Sequence, residues 1–470
     1  MAIRKNYLQI KKVRRNKFTL PDFSTGFNLS KDESVLSPAQ ARECYNFDFS
    51  DGTLKDGYGV SEFTAFSGKQ VSALYKYRRY DGVWSEFLIC YATDGKLYYV
   101  KDGGSEVLSM GDLTLSSKPS FISYRLNGED VVFICSPADG MYVWNGVGDA
   151  YKVDGAPKIT SMALHGERLF VTVDGEKNSV WFSDDIDPTN WDASLSGGGF
   201  IQLIDERGSL NRVISYLGYV YVFRDYGITR ISALGSQSDF SVSNLFVSGG
   251  KIYPDTVALC GDTVIFLASD GLYAFDGVST RKILDNLAPL FENKQNACAG
   301  YLHGKYYVSF AVSVSDEKVG CEEGEFVNNA MLVFDLSAGV YSLTRGVDVT
   351  SFYALDSDMT VVTGDGRAGI IDKSGSYFGV ALKKKWSVPK TALSDEREKV
   401  IREIYLASAR SITVIFRSDE EEQTLIFEGK PTVQRKKAFM KASRIGVDFV
   451  SYDTGNCISR PTVHFNVKCV

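Results

Sequence analysis

One short phrase recurs along this chain and limits what it can fold into: a turn ending in Asp-Gly or Tyr-Gly, then an apolar or aromatic strand, then often a second Asx-Gly turn. Its clearest copies are Asp94-Gly95 before Lys96-Leu97-Tyr98-Tyr99-Val100, Asp139-Gly140 before Met141-Tyr142-Val143-Trp144, Tyr226-Gly227 before Ile228-Thr229-Arg230-Ile231, and Asp270-Gly271 before Leu272-Tyr273-Ala274-Phe275. Asx-Gly supplies the positive φ of a tight hairpin, and the residues that follow suit a pleated, half-buried surface. The copies recur at roughly 35 to 50 residues, the period of a propeller blade. The expected fold is therefore all-β, a β-propeller of six or seven blades followed by a β-sandwich-like region. Propeller blades serve enzymes, lectins and structural hubs alike, so the scaffold does not choose a function.

Seven strand-rich units can be marked, near 71–101, 119–153, 159–192, 208–234, 252–285, 297–346 and 347–379. Hairpin turns such as His165-Gly166-Glu167-Arg168 and His303-Gly304-Lys305 sit inside them, and period-two alternation after each turn aims one face at the next blade. The expected layout is a basic arm over 1–25, a lead-in segment over 26–70, the propeller over 71–380 and a sandwich-like domain over 381–470. In the lead-in, Ser37 as N-cap and Pro38 at the first helical position predict one short helix. Lys383-Lys384-Lys385 and Ser394 to Lys399 read as a solvated linker, and the acidic insertion 316–325 as a loop. Five alternating strands near 400–406, 412–416, 423–427, 443–450 and 463–467 make the sandwich.

Catalytic inventory is thin. The three histidines are His165, His303 and His464, and the first two open His-Gly turns. No Ser-His-Asp or Cys-His arrangement, H-x-x-x-H spacing or phosphate-binding glycine loop can be read. The eight cysteines form no C-x-x-C pair, and several lie in apolar strands, which predicts free buried thiols rather than a metal or disulfide framework. Ser183-Asp184-Asp185-Ile186-Asp187-Pro188-Thr189-Asn190-Trp191 imitates a sialidase-type turn poorly, with Pro188 where glycine is needed. A Ca²⁺ site on Asp184, Asp185 and Asp187 lacks the twelve-residue loop and its closing Glu, so a hydrogen-bonded Asx turn is the stronger reading. No catalytic residue, metal or cofactor is expected.

Charge adds one feature. The net charge is −6, with no global nucleic-acid signature, yet residues 1 to 18 hold Arg4, Lys5, Lys11, Lys12, Arg14, Arg15 and Lys17 and no acid. Such an arm can neutralise phosphates or lie on an acidic neighbouring subunit, the subunit being the first choice. No run reaches the apolar length of a membrane span, and the N-terminus lacks the apolar core of a secretion signal.

Two passages resemble a family. Leu169 to Gly175 running into Ser179-Val180-Trp181-Phe182-Ser183-Asp184 and Asp187-Pro188-Thr189-Asn190-Trp191 is similar to a blade of the tail hub, tail nozzle and packaged-DNA stabilisation proteins of short-tailed phages. Gly26-Phe27-Asn28-Leu29 and Asn46-Phe47-Asp48 through Asp56-Gly57-Tyr58 resemble the segment by which such proteins enter their first blade. The resemblance implies a non-enzymatic virion tail protein assembled in the host cytoplasm. It implies a cyclic homo-oligomer, a hexamer among the options, on the head-to-tail axis, touching portal, adaptor or other tail proteins and viral DNA, closing the DNA channel and guiding ejection. The alternatives are a carbohydrate- or receptor-binding tail propeller and a sialidase-like glycosidase.

Overall fold

The computed structural model of the chain describes residues 15–193, 197–292, 294–313 and 327–467. It divides into two compact units, Met1–Tyr58 with Lys373–Ser376 and Val380–Val470, and Gly59–Asp372 with Tyr377–Gly379.

The second unit is a seven-bladed β-propeller. Six blades are four-stranded antiparallel meanders spanning 71–114, 120–152, 159–202, 210–247, 258–283 and 298–345. The seventh is assembled from both ends of the unit: Val349–Leu355, Asp358–Thr363 and Ala368–Asp372 supply three strands, and Gly59–Glu62 pairs antiparallel with the last as the fourth. Of the six or seven blades expected, the count is seven. The propeller also starts earlier than the expected 71, because the strand at 59–62 is the outer strand of the closing blade.

The seams between blades hold apolar clusters, and several carry a tyrosine latch. Tyr77, Phe87, Val132 and Trp144 fill the first seam, Phe133, Val143, Val171 and Trp191 the second, and Phe223, Ile228, Phe266 and Phe275 the fourth. Val71, Leu74 and Cys90 of the first blade pack with Leu355 and Val362 of the seventh, which closes the ring. Tyr77 donates its hydroxyl to Asp130 O at 2.6 Å, Tyr221 to Gly277 O at 3.0 Å and Tyr306 to Thr256 O at 2.9 Å, each across a seam. A tyrosine buries its ring in the seam and spends its hydroxyl on a carbonyl of the neighbouring blade, which explains why so many are needed.

The Asx-Gly phrase works as expected in three of its four copies, where Gly95, Gly140 and Gly271 adopt φ of 81°, 98° and 150°. The Tyr226-Gly227 copy differs. Gly227 is not at positive φ, and a Cβ there would lie 2.3 Å from Phe246 O, so glycine is required by the close approach of the next strand.

The first unit is a two-sheet β-sandwich woven from both ends of the chain. One sheet runs Glu43–Tyr45, Lys384–Thr391, Ile445–Ser451, Ile412–Arg417, Glu422–Phe427. The other runs Arg15–Thr19, Thr462–Val467, Lys399–Ser408, Cys457–Ile458, Leu54–Asp56, Phe47–Asp48, and Lys430–Ala442 pairs with Lys399–Ser408. Trp386 is 1% exposed, edge-on to Phe23 at 5.1 Å and to Phe49 at 5.4 Å between ring centroids. A polar knot joins the two ends: Arg417 donates to Asp448 at 2.8 Å and to Ser387 at 3.0 Å, and Arg42 donates to Ser387 at 2.9 Å.

Several expectations are corrected here. Residues 26–58 are not a separate lead-in; they supply strands to the sandwich. Ser37 caps only a single turn, its Oγ accepting from the Ala39 amide and its carbonyl from the Gln40 amide, because Ala41 leaves at once to bridge Phe27; a 3₁₀ turn at Glu33–Val35 stands nearby instead. Lys384 and Lys385 stand in strand Lys384–Thr391 and Lys399 opens the next strand, so these are not solvated linker; Ser394 to Glu398 between them are a turn segment in which Ser394, Glu396 and Arg397 are exposed. Lys384 and Lys399 are both 0% exposed, Lys384 paired with Asp56 at 3.2 Å and donating to Asp453 O at 2.7 Å. A run of lysines reads as surface until partners for it are known. A thirteen-residue strand, Lys430–Ala442, had no sequence expectation at all. The insertion 316–325 lies outside the described residues.

Candidate polyanion interface

Charge is divided between the units far more sharply than the net value of −6 suggests. The sandwich unit holds 28 Lys and Arg against 18 Asp and Glu, a balance of +10; the propeller unit holds 24 against 40, a balance of −16.

Six of the sandwich unit's described basic residues stand on one sheet face. Strand pairing aligns three rows across four strands: Arg15, Asn466, Val400, Lys441; then Lys17, His464, Glu403, Lys437; then Thr19, Thr462, Tyr405, Arg435. Alternate residues, Ile401, Ile404, Val463, Phe465, Ala438 and Met440, are buried in the sandwich, so the rows face outward. An irregularity in pairing between Ile401 and Glu403 brings both Arg402 and Glu403 to the rim of a shallow depression of about 420 Å³ that Arg15, Lys437 and Phe439 also line. Phe439 is 68% exposed with the Arg402 guanidinium 5.5 Å from its ring centre.

Glu403 is the one carboxylate in the three rows, and it is already neutralised. It forms an ion pair with Arg435, accepts from Tyr405 Oη at 2.9 Å and lies 3.7 Å from Arg15. The Arg435 hydrogen bond, joined by Tyr405 and the nearby positive charge, holds its pKa below the usual carboxylate range. Lys441 pairs with Glu398 at 3.0 Å. Lys17 and Lys437, at opposite ends of the middle row, are exposed and have no ion-pair partner among the described residues.

Of the seven arm residues expected to meet an anion, Arg15 and Lys17 are thus in a strand of this sheet. Arg4, Lys5, Lys11, Lys12 and Arg14 lie outside the described residues. Arg402, Arg435, Lys437 and Lys441 were missed, although residues 430–441 carry five basic residues and no acid. That signal was available; what the sequence could not supply was the pairing that sets strand 430–442 beside strand 399–408, four strands from the arm's inner end.

The other candidate groups are structural. His165 is buried and bonds Ser215 Oγ at 2.9 Å through Nδ1, and burial lowers its pKa; His303 takes a φ of 49° in its turn. Asp187 accepts the Thr189 amide at 3.0 Å, the Asx turn expected, while Trp191 is buried. The buried Arg168 donates to Ser183 O at 3.0 Å and Gly197 O at 2.9 Å. No group of three or more metal-ligating side chains occurs among the described residues. A groove of about 750 Å³ at the seam of the first and seventh blades contains Glu86 and Asp356, but Lys76 binds both, at 2.7 and 2.6 Å. Five of the described cysteines are buried and Cys457 is exposed; burial pushes the Cys90 and Cys260 thiols up to about 12.

No family profile matches the sequence, and no curated protein matches it. Among solved structures, BamB from Moraxella catarrhalis aligns at 12% identity over 61% of this chain and 79% of its own, with a TM-score of 0.39. The computationally designed Ika8 protein aligns at 12% identity over 67% and 99%, TM-score 0.42. The extracellular domain of the putative one component system BT4673 from B. thetaiotaomicron aligns at 12% identity over 86% and 59%, TM-score 0.44. The chain is a β-propeller protein on its own geometry.

Proposed function

We propose that this chain is a non-enzymatic assembly subunit of a tailed-phage virion, of the tail hub, nozzle or packaged-DNA stabilisation class, forming a ring on the head-to-tail axis. The observation that carries the reading is the division of charge, +10 on the sandwich unit against −16 on the propeller. A subunit with two oppositely charged bodies is suited to heterologous contacts, in which one patch meets a different patch on the next copy and the rotation closes a ring. The passages that resemble the family serve structure in this molecule, as a structural subunit requires. Asp187 makes a turn, and Asn46 at φ 62° donates to Lys383 O at 2.6 Å and accepts from the Gly57 amide at 2.9 Å. Of the four carboxylates that line the blade-seam groove, Glu62, Glu86, Asp356 and Asp358, two, Glu86 and Asp356, are held by Lys76.

Sedimentation velocity of the purified chain, alone and mixed with portal and adaptor proteins, tests the reading. A discrete cyclic oligomer that weakens as salt rises is the expected result. A monomer at all salt concentrations that hydrolyses glycans, with the activity abolished by changing one carboxylate, would overturn it.

A further inference from the structure

The six cations on the outer sheet face stand in a regular array. Neighbouring strands are about 4.8 Å apart and alternate residues about 6.8 Å, so Lys17 and Lys437 are roughly 14 Å apart across the middle row. The central Glu403 is taken up by Arg435, Tyr405 and Arg15, and Lys441 holds Glu398, which still leaves the face with excess positive charge. Strand Arg15–Thr19 is the edge of the sheet, and the sequence immediately before it adds five more cations and no acid.

Two kinds of anion could cover this face, a phosphate backbone or carboxylates of a second copy's propeller. Several of the propeller's carboxylates already serve turns or ion pairs. Asp94 accepts the Lys96 amide, Asp139 the Ser116 amide, Asp225 the Ser209 amide and Asp276 the Ser279 amide, at 2.7 to 3.0 Å. Asp270 is paired with Lys282 at 2.8 Å. A nucleic-acid backbone brings phosphates with no prior partner and gains entropy by releasing its own counterions. The exposed ring of Phe439 beside Arg402 is unneeded for a carboxylate surface and fits apolar contact with a deoxyribose of the backbone.

We infer that the outer face of this sheet, with Arg15, Lys17, Arg402, Arg435, Lys437 and Lys441, binds the phosphodiester backbone of duplex DNA without reading its sequence. The inference deepens the assembly reading, and rests on it only for the presence of DNA beside the subunit.

The test is fluorescence anisotropy of the whole purified chain with a labelled duplex of mixed sequence, across a series of salt concentrations. Binding should weaken steeply with salt, with a slope of log K on log salt near −5 for five to six phosphates neutralised. The double variant K17Q/K437Q should lower the slope's magnitude by about 1.8 and weaken binding about tenfold. Its thermal melt should match the parent, since neither lysine carries an ion pair. Arg125→Gln, at a propeller side chain 63% exposed, should change nothing. Duplexes of unrelated sequence should bind equally. A double variant with parental affinity and slope would overturn the inference. So would a parent that ignores DNA but self-associates in a salt-sensitive way that K17Q/K437Q abolishes, which would assign the face to a second copy. A monomer that binds DNA through this face keeps the inference and removes the ring; a ring indifferent to DNA does the reverse.

Discussion

The propeller and the sandwich solve the same packing problem by opposite means. The propeller is built from consecutive meanders, each paired within itself, and is closed by one borrowed strand. The sandwich is built almost wholly from long-range pairs: Arg15 to Asn466, Glu43 to Ser387, Lys55 to Cys457. Their charges differ in the same manner. In the propeller, acids sit in turns where they satisfy backbone amides, so negative charge is a by-product of turn chemistry. In the sandwich, lysines and arginines are placed by strand register, some buried as struts and others aligned outward. Negative charge is therefore spread through the propeller, while six cations of the sandwich are aligned on one of its faces.

Removing one large ring from each unit should separate them most strongly. Trp144→Ala in the first propeller seam and Trp386→Ala in the sandwich each cost about 3–5 kcal/mol by cavity formation. Calorimetry should show each variant lowering one transition and sparing the other. A single transition that moves equally in both variants would mean that the units unfold as one.

Asp56→Ala comes next. It leaves the Lys384 ammonium, 0% exposed, without its carboxylate, at a cost of about 3 kcal/mol. Denaturant titration should register this in the sandwich alone, and Lys384→Met added to Asp56→Ala should recover part of the loss.

Acid should act on the propeller through its turn chemistry. Asp94 and Asp276 accept backbone amides that hold their pKa below the ordinary 3.8. For Asp139, burial pulls upward but hydrogen bonds from Ser136 and Ser116 outweigh it, so the net shift is again downward. A carboxylate depressed in the folded state contributes stability above its unfolded pKa and loses it as pH falls through the folded value. The propeller melting temperature should therefore be level from pH 7 to about 5 and decline below about 4, which calorimetry against pH would reveal.

The smallest effect expected is from Asp187→Ala. Losing the Asx turn should cost about 1 kcal/mol, measurable by denaturant titration, with no change in oligomeric state. A larger effect on assembly than on stability would give that loop a contact role beyond its turn.

The propeller was legible because its signal is local. A turn and the strand after it lie within ten residues, so Asp94-Gly95 or Asp270-Gly271 announces a hairpin without knowledge of the rest. The same reasoning failed at Gly227, whose reason for being glycine is a carbonyl nineteen residues away. It failed more widely in the sandwich. Lys384 reads as surface until Asp56 is known to face it, and Lys430–Ala442 has only Val433 before the apolar residues near its end, so no alternation marks it. The candidate face was half visible: Arg15 and Lys17 belonged to a basic run that could be seen, whereas their alignment with Lys437 depends on three strand pairings that no local pattern encodes.

The closing strand Gly59–Glu62 emerges from the ribosome roughly 300 residues before its partner Ala368–Asp372. At ordinary translation rates it waits about 15 to 60 s with its edge bare. The strands before it wait longer still, for a sandwich whose other half comes last. A chain that stops short of residue 372 therefore has neither a shut ring nor a finished basic face. Translation thus sets the order in which the molecule's surfaces come into being, because a truncated copy lacks both the ring and the face that only the whole chain completes.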